Sequence, residues 1–325
     1  MKAGCAVWGL QSRHREARGP VLKTPCRECL KCFECRFMTD FLQLLIVGIS
    51  QGCIYGLIAL GFVLIYKATE MVNFAQGEMM VVGSFIAWTF IVGMGFNFWI
   101  GLSAAMVVMA MFGFLLDAAV VRRIIGQPQF SVVILTIGIG IILRAGSGMV
   151  WGNQPLTMPA PFSGNSEFFG AVVGNERLAI IGTTVLLIGC LVLFFRCNRW
   201  GVALMASSQN QLAALYSGIP VRFVFSAVWA GAAVISTIAG TMLAPITLIE
   251  PLNSFLGIKA FAAAVIGGFN SVTGAVAGGI LIGVVEAFAG AYLPSVRETI
   301  GYILMFAVLM AWPGGLFGRA HRKKV

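Results

Sequence analysis

The 325-residue chain is 59% hydrophobic and only 10% charged, and its mean hydropathy is +0.92. A soluble domain of this length needs more polar surface, so the composition excludes that class and predicts an all-α polytopic membrane protein surrounded by lipid. The formal net charge of +10 does not indicate a nucleic-acid partner, because the basic residues fall mostly in short loops and at the ends of the chain, as membrane topology requires.

The first 37 residues differ in composition from the rest. Residues 1–37 contain eight Lys or Arg against three Glu, and five of the eight cysteines. The C-x2-C-x2-C-x2-C run from Cys26 to Cys35 could hold a metal or an iron–sulfur cluster, the segment could be a natural disordered tail, or the reading frame could be over-extended, with the true start at Met38. We favour the last interpretation, with a doubtful extension over residues 1–37, a membrane domain over residues 38–325 and no metal site.

Eight stretches are long and apolar enough to cross a bilayer, which takes roughly 20 helical residues. Between the sixth and the seventh, the segment Ile258–Gly268 is apolar but short, and it predicts a short or broken membrane helix. The total is therefore eight or nine crossings. The eight predicted spans are Phe41–Tyr66, Val72–Ile91, Phe98–Val120, Phe130–Val150, Leu178–Phe195, Phe223–Ile246, Thr273–Tyr292 and Thr299–Phe317.

Basic residues set the predicted orientation, because Lys and Arg concentrate on the cytoplasmic side of membrane proteins. Three clusters, at Arg122–Arg123, Arg196–Arg222 and Arg319–Lys324, are predicted to face the cytoplasm. The linker Gly152–Arg177, rich in Gly, Pro, Asn and Ser, then lies outside. A cytoplasmic C-terminus needs nine crossings, so the short segment near Ala262 must cross or replace a crossing.

Polar groups interrupt the apolar sequence where the second predicted span begins. Asn73, Gln76 and Glu78 lie there, and a carboxylate in a membrane is costly unless it is paired or hydrated. Asn73 and Gln76 have the spacing of a capping box at a helix start, and Glu78 would favour the positive end of that helix. Two interpretations stay open: capping alone, or capping combined with lining of a translocation path.

A second interruption follows the short segment. Residues 267–274 predict a helix break, and broken helices that line cavities expose polar backbone in membrane transporters. The glycines from Gly274 to Gly283 have small-x-x-x-small spacing and predict close helix contacts. Ordinary tight packing without a binding role is the alternative for each glycine.

Glu286 and Arg144 are charged residues that lie within predicted spans. Glu286 is deep in the seventh span and is predicted to face a cavity or a partner. Arg144 is late in the fourth span and is predicted to extend its side chain to the outer surface. The candidate residues of the translocation path are Asn73, Gln76, Glu78, Gly267, Gly268, Asn270 and Glu286.

The predicted cytoplasmic loop Arg199–Arg222 is long for a connector between spans. Its apolar residues Leu204, Leu212, Leu215 and Tyr216 have helical spacing and predict a short surface helix. An exposed apolar face on the cytoplasmic side indicates either an interfacial helix or a docking site for another protein.

The sequence contains none of the common catalytic or nucleotide-binding motifs. Its two histidines, His14 and His321, lie outside the predicted spans, and no Ser–His–Asp set, H-E-x-x-H or P-loop motif occurs. We therefore predict that the chain is not an enzyme, has no cofactor and does not itself bind ATP through a P-loop.

Three stretches occur in a characteristic order: A-L-G-F-V-L-I-Y-K-A-T-E-M-V-N-F-A-Q-G-E-M, then A-A-L-Y-S-G-I-P, then K-A-F-A-A-A-V-I-G-G-F-N-S-V-T-G-A-V-A-G-G. Together they resemble the branched-chain amino acid permease family of ABC importers, and specifically the shorter of its two permease subunits. The resemblance runs from about Met38 to the C-terminus.

The resemblance implies a multi-pass subunit of a bacterial inner-membrane importer with a cytoplasmic C-terminus. Its implied partners are a second permease, two cytoplasmic ATP-binding subunits, a periplasmic substrate-binding protein and membrane lipid. Ala213, Ala214 and Gly218 match the A-A-x-x-x-G part of the importer coupling loop, whereas Leu212 stands where many importers have Glu. The alternatives are a urea or amide permease, and a self-sufficient ion-coupled carrier that uses Glu78 and Glu286.

Overall fold

A computed structural model describes residues 27–124, 129–162, 164–168, 171–209, 211–312 and 314–317. The chain divides into two units, Met1–Asp40 and Phe41–Val325. Residues 1–26 and the side chains of residues 27–38 lie outside the described part, so the interpretations of the cysteine run and of the start at Met38 stay predictions. The fold described below is that of the second unit.

Helices dominate the described residues, with one short β-hairpin. The helices are α1 (Arg27–Thr69), α2 (Gln76–Trp88), α3 (Phe98–Ala119), α4 (Gln129–Trp151), α5 (Asn175–Cys197), α6 (Arg199–Gln209), α7 (Gln211–Tyr216), α8 (Val221–Leu243), α9 (Leu256–Gly267), α10 (Val272–Tyr292) and α11 (Arg297–Ala311), and the hairpin pairs β1 (Asn165–Phe168) with antiparallel β2 (Ala171–Gly174).

The predicted membrane architecture is confirmed. Within the described residues, eight helical stretches are long and apolar enough to cross a bilayer, and each overlaps a predicted span, although the eighth ends at Ala311 and not at Phe317. The predicted short segment Ile258–Gly268 corresponds to α9, and a 3₁₀ turn, Pro251–Phe255, precedes it. Together they make a shorter apolar helix between the sixth and seventh spans.

Burial separates central helices from peripheral ones. In α1 and α8, 67% of the most apolar window is buried inside the protein, against 17% in α5 and 11% in the stretch that contains α11. Apolar side chains on the peripheral helices, such as Leu186 and Phe306, are instead largely exposed. In a membrane protein such faces meet lipid or another subunit.

The glycines of α10 allow close packing against helices on two sides. A β-carbon on Gly278 would lie 2.8 Å from the backbone nitrogen of Gly267 in α9, and one on Gly279 would lie 2.7 Å from Cα of Gly56 in α1. Distances under 3.0 Å leave no room for a side chain, so the predicted close helix contacts are confirmed.

One end of the bundle collects basic residues. Arg122 at the end of α3 donates to the carbonyl oxygen of Arg222 at 3.0 Å, and Lys67 at the end of α1 lies 4.5 Å above the ring of Phe195 at the end of α5. We call this the basic end. The opposite end, which carries β1 and β2, is called the hairpin end.

The predicted break between the short helix and the seventh span is present. Between α9 and α10 the chain turns over residues 268–271. Gly268 has a φ of +91°, a backbone conformation that residues with a β-carbon rarely adopt. The ring of Phe269 lies 4.7 Å from that of Tyr66 in α1. The break therefore lies at the basic end, where the N–H of Leu316 also donates to Ile266.

Helix α2 begins inside the bundle and not at its end. The chain leaves α1 at the basic end and runs without helix through residues 70–75. On the way, the N–H of Phe74 donates to Oγ1 of Thr136 in α4, and Gln76 reaches Ser236 in the half of α8 nearer the hairpin end, with an Nε2–Oγ distance of 2.6 Å. The predicted span Val72–Ile91 is therefore wrong at its start, because its first four residues form a non-helical entry.

Helix α9 enters from the opposite end, because residues 244–255 return into the bundle from the hairpin end. The starts of α2 and α9 cross at Gly77 and Gly257, where a β-carbon on Gly257 would lie 2.7 Å from Cα of Gly77. Two helix starts therefore meet within the bundle, and glycine at both positions permits that approach.

Candidate functional site

A cavity of about 320 Å³ lies where these two helix starts meet. Its lining contains one acid, Glu78, and one base, Arg144, and the rest is mainly apolar or aromatic. The lining side chains and glycines are Phe62, Phe74, Glu78, Ile137, Gly140, Ile141, Arg144, Ser254, Phe255, Gly257, Ile258 and Phe261.

Glu78 and Arg144 form an ion pair in this cavity. Nη2 of Arg144 lies 2.6 Å from Oε1 of Glu78, and the exposed fractions of the two side chains are 35% and 12%. The guanidinium also lies 4.6 Å from the ring centre of Phe255. The predicted extension of Arg144 to the outer surface is therefore wrong, because a carboxylate on the facing helix offers a partner within the bundle.

The pair retains unused hydrogen-bonding groups. Within the described residues, Oε2 of Glu78 and Nη1 of Arg144 form no hydrogen bond, and Nε of Arg144 is buried without an acceptor. A guanidinium presents five N–H donors and a carboxylate can accept about four hydrogen bonds. The pair therefore has both a donor and an acceptor for a further molecule.

Asn73 and Gln76 are buried beside the cavity but do not line it. Oδ1 of Asn73 accepts from the N–H of Ala75 at 3.0 Å, and the side chain of Gln76 donates to α8. Ala75 is the N-cap of α2, without a side-chain cap. The predicted capping box is therefore formed only in part: Asn73 accepts from a backbone N–H at the helix start, but Gln76 accepts from Nδ2 of Asn73 at 3.2 Å and donates to α8 instead of bonding with a backbone N–H.

A second charged cluster surrounds Glu286. Its Oε1 lies 2.8 Å from Nζ of Lys259, and its Oε2 accepts from the hydroxyl of Tyr55 at 2.8 Å. Lys259 also lies 2.5 Å from Glu298, whose side chain is 76% exposed. A cavity of about 440 Å³ borders these residues. Both oxygens of the buried Glu286 are engaged, as its predicted need for a partner implies.

The glycines of the predicted break and Asn270 lie elsewhere. Gly267 and Gly268 are buried and Asn270 is exposed, all at the basic end. None of the three lines either charged cavity. The structure thus brings Glu78 together with Arg144, and Glu286 together with Lys259, but it does not bring the seven candidate residues into one site.

The loop between α5 and α8 forms two surface helices, α6 and α7, at the basic end. Ala214 is buried, and Ala213 is exposed on the same helix. Leu215 and Tyr216 are 58% and 88% exposed. Gly218, with a φ of +80°, ends α7. The predicted surface helix is confirmed, and its exposed apolar residues form a surface that another protein could cover.

No group of three or more His, Cys, Asp or Glu side chains converges as a metal site in the part of the chain that the structure describes. The polar groups that remain inside the bundle are carboxylates, a guanidinium, an ammonium, amides and hydroxyls. Such groups are able to form ion pairs and hydrogen bonds with a bound molecule.

The sequence marks two basic side chains of the charged cavities as unusual, but it does not show which acidic side chains they pair with. Arg144 is the only base within the apolar helix α4, and Lys259 is the only base within the apolar helix α9. A lone base in an apolar helix indicates a partner carboxylate. Which carboxylate belongs to which base depended on the helix starts, which the sequence did not show.

Comparison with known proteins assigns a family to this architecture. Residues 44–312 match the family model described as the permease component of the branched-chain amino acid transport system. The chain is 30% identical over 301 residues to the high-affinity branched-chain amino acid permeases LivH of Escherichia coli and BraD of Pseudomonas aeruginosa, covering 88% of this chain and 98% of each relative.

A probable LivH of Methanocaldococcus jannaschii is 29% identical over 285 residues, which cover 82% of this chain and 89% of the relative. Among solved structures, PsaBC from Streptococcus pneumoniae in complex with Fab matches with a TM-score of 0.45 and 17% identity, over 87% of this chain and 94% of that one. The chain belongs to the branched-chain amino acid permease family of ABC transport systems.

Proposed function

We propose that this chain is one of two permease subunits of an ATP-driven importer of branched-chain amino acids in a bacterial inner membrane. Its partners are a second permease, two cytoplasmic ATP-binding subunits and a periplasmic binding protein that delivers the substrate. The basic end faces the cytoplasm, because Arg122, Arg123, Arg196, Arg199 and Arg222 lie there, and the C-terminus lies on the same side.

The observation that carries the proposal is the meeting of two helix starts around a charged cavity. The α2 start is reached from the basic end and the α9 start from the hairpin end, and both border the cavity with Glu78. Interrupted helices of this kind provide binding groups within the membrane in transporters. The translocation path therefore passes this cavity, with Asn73 and Gln76 holding its wall.

The α6–α7 surface is the docking site for an ATP-binding subunit. It lies at the basic end, carries the exposed Leu215 and Tyr216, and ends at Gly218. Closure of the ATP-binding subunits would press on this surface, and the resulting shift between two conformations would open the path to one side at a time.

The test is uptake of radiolabelled leucine into proteoliposomes that hold this chain, its partner permease and both ATP-binding subunits. We expect accumulation that requires ATP and the binding protein. Accumulation by this chain alone under a proton or sodium gradient would replace the importer with a carrier. If a complete transporter accumulates urea or an amide but not leucine, the proposed substrate class is wrong.

A variant tests the docking surface separately. Gly218→Asp places a β-carbon at a φ of +80°, so it strains the end of α7. We expect it to abolish uptake and co-purification of the ATP-binding subunits while the permease still inserts in the membrane. Gly138→Ala in α4, where an added β-carbon meets no atom within 4 Å, is the control. Normal uptake by the Gly218 variant would contradict the docking site.

The charges of the two clusters argue against the alternative of an ion-coupled carrier. An ion-coupled carrier would need a carboxylate that is free to bind and release a cation, but Glu78 and Glu286 each face a basic side chain at 2.6 and 2.8 Å. A positive side chain so close repels a second cation that approaches the same carboxylate.

A further inference from the structure

We infer that Glu78 and Arg144 are the two poles of a site that binds the zwitterionic head of an amino acid: the substrate ammonium contacts Oε2 of Glu78 and the substrate carboxylate contacts Nη1 of Arg144. This inference rests on the proposed function, and it adds which chemical groups of the substrate the permease itself recognises.

The first argument is the composition of the cavity. It holds one negative and one positive side chain, while Phe62, Phe261 and Ile141 contribute apolar surface. An amino acid with an aliphatic side chain has the same composition: one positive group, one negative group and an apolar remainder. The volume of about 320 Å³ is at the lower end of the range of about 300–1,000 Å³ for small-molecule sites.

The second argument is the arrangement of the charges. Oε1 of Glu78 and Nη2 of Arg144 are adjacent at 2.6 Å, and the ammonium and carboxylate of an amino acid are adjacent on its Cα. When the amino acid head lies beside the Glu78–Arg144 pair, with its ammonium next to Glu78 and its carboxylate next to Arg144, each charge has an opposite charge as its neighbour. Four alternating charges offset the cost of moving a zwitterion out of water, which a neutral cavity does not.

The third argument is the unused hydrogen-bonding capacity. Oε2 of Glu78 and Nη1 of Arg144 have no partner among the described residues, while the bond from Nη2 to Oε1 holds the two side chains together. Glu78 also lies in the first turn of α2, so its carboxyl group is near the end of the helix where backbone N–H groups are free of intrahelical partners.

The contrast with Glu286 supports the choice of this pair. Glu286 uses both oxygens, on Lys259 and Tyr55, and Lys259 contacts a second carboxylate. A substrate would have to displace one of those bonds. The groups of the second cluster that keep hydrogen-bonding capacity belong to Arg297 and Glu298, whose side chains are 53% and 76% exposed, whereas the side chain of Glu78 is only 12% exposed.

The test uses the assembled transporter without its binding protein, so that the permease alone selects the ligand. Saturable binding of radiolabelled leucine is measured in the nucleotide-free and nucleotide-bound forms, with two competitors. The first, 4-methylpentanoate, lacks the ammonium, and the second, 3-methylbutylamine, lacks the carboxylate. We expect the wild-type complex to prefer leucine to both.

Glu78→Gln and Arg144→Gln should change this preference in opposite ways. Each should weaken leucine binding about 10- to 100-fold, since each loses one charged hydrogen bond. Glu78→Gln should lose the preference for leucine over 4-methylpentanoate but keep it over 3-methylbutylamine. Arg144→Gln should show the reverse. A purely structural role would weaken all three ligands alike.

Matched controls come from the second cluster. Glu298→Gln and Arg297→Gln make the same changes of charge on exposed side chains, and both should keep the wild-type preferences. Size-exclusion profiles of every variant complex check assembly. Where the Gln variants do not assemble, Glu78→Asp and Arg144→Lys replace them; each keeps its charge, so it should weaken leucine binding but keep both preferences.

The two proposals fail in different ways. If the complete transporter does not take up leucine, the proposed function is wrong. If it does, but the wild-type complex binds no leucine saturably, or the two Gln variants change all ligands equally, the zwitterion site is wrong and the function stands.

Discussion

The two charged clusters of this permease look alike in the sequence but differ in how completely their atoms are used. Glu286 bonds with Lys259 and Tyr55 through separate oxygens. Glu78 bonds with Arg144 through one oxygen and leaves the other unpaired in the described chain. A buried polar group without a partner is costly, so full pairing indicates a structural connection, and partial pairing at a cavity indicates a place for a ligand.

The two clusters also differ in the number of helices that they join. Lys259 joins the short helix α9 to α10 through Glu286 and to α11 through Glu298, and Tyr55 of α1 bonds with Glu286, so the second cluster connects four helices. Glu78 and Arg144 join only α2 to α4. Loss of charge should therefore destabilise the protein most at Lys259 and should affect ligand binding most at Glu78.

Lys259→Met should have the largest effect on stability. It leaves the buried carboxylate of Glu286 without its main partner, and removal of one member of a buried ion pair costs about 3–5 kcal/mol. Thermal unfolding of the detergent-purified protein measures the loss. Arg123→Gln, on an exposed residue of the same bundle, is the control. A variant as stable as the wild type would show that the cluster around Glu286 is not structural.

Tyr55→Phe should have an intermediate effect. It removes the hydroxyl that donates to Oε2 of Glu286 and keeps the ring, which is buried. One buried carboxylate oxygen then lacks a donor, at a cost of about 1–3 kcal/mol. The same unfolding measurement applies. A loss as large as that of Lys259→Met would mean that the ring packing of this variant is also disturbed.

Glu298→Gln should have the smallest effect of the three. Its carboxylate contacts Lys259, but the side chain is 76% exposed, and water screens such a pair to about 0–1 kcal/mol. Unfolding temperature and leucine uptake should both stay close to wild type. A marked loss of uptake would move the ligand site from Glu78 towards the second cluster.

The sequence predicted the spans because hydrophobicity is a local property. All eight spans, the short helix before Gly267 and the surface helix after Arg199 follow from runs of apolar residues and their spacing. The close contacts of α10 followed from glycine spacing. These features depend on residues near one another in the chain.

The sequence did not predict the site because its partners are distant in the chain. Residues 78 and 144 meet only because α2 starts deep in the bundle, and that start depends on Gln76 bonding with Ser236 in α8. From spacing alone, Asn73 and Gln76 indicated a capping box. The two side chains do bond with each other, but Gln76 also donates across the bundle to α8, and no local pattern contains this information.

The most direct test of the zwitterion site is a cryo-EM structure of the assembled transporter with leucine bound. We predict density for the amino acid between Oε2 of Glu78 and Nη1 of Arg144, with its side chain against Phe62 or Phe261. Leucine density at Glu286 and Lys259, or at the interface with the partner permease away from Glu78, would contradict the account.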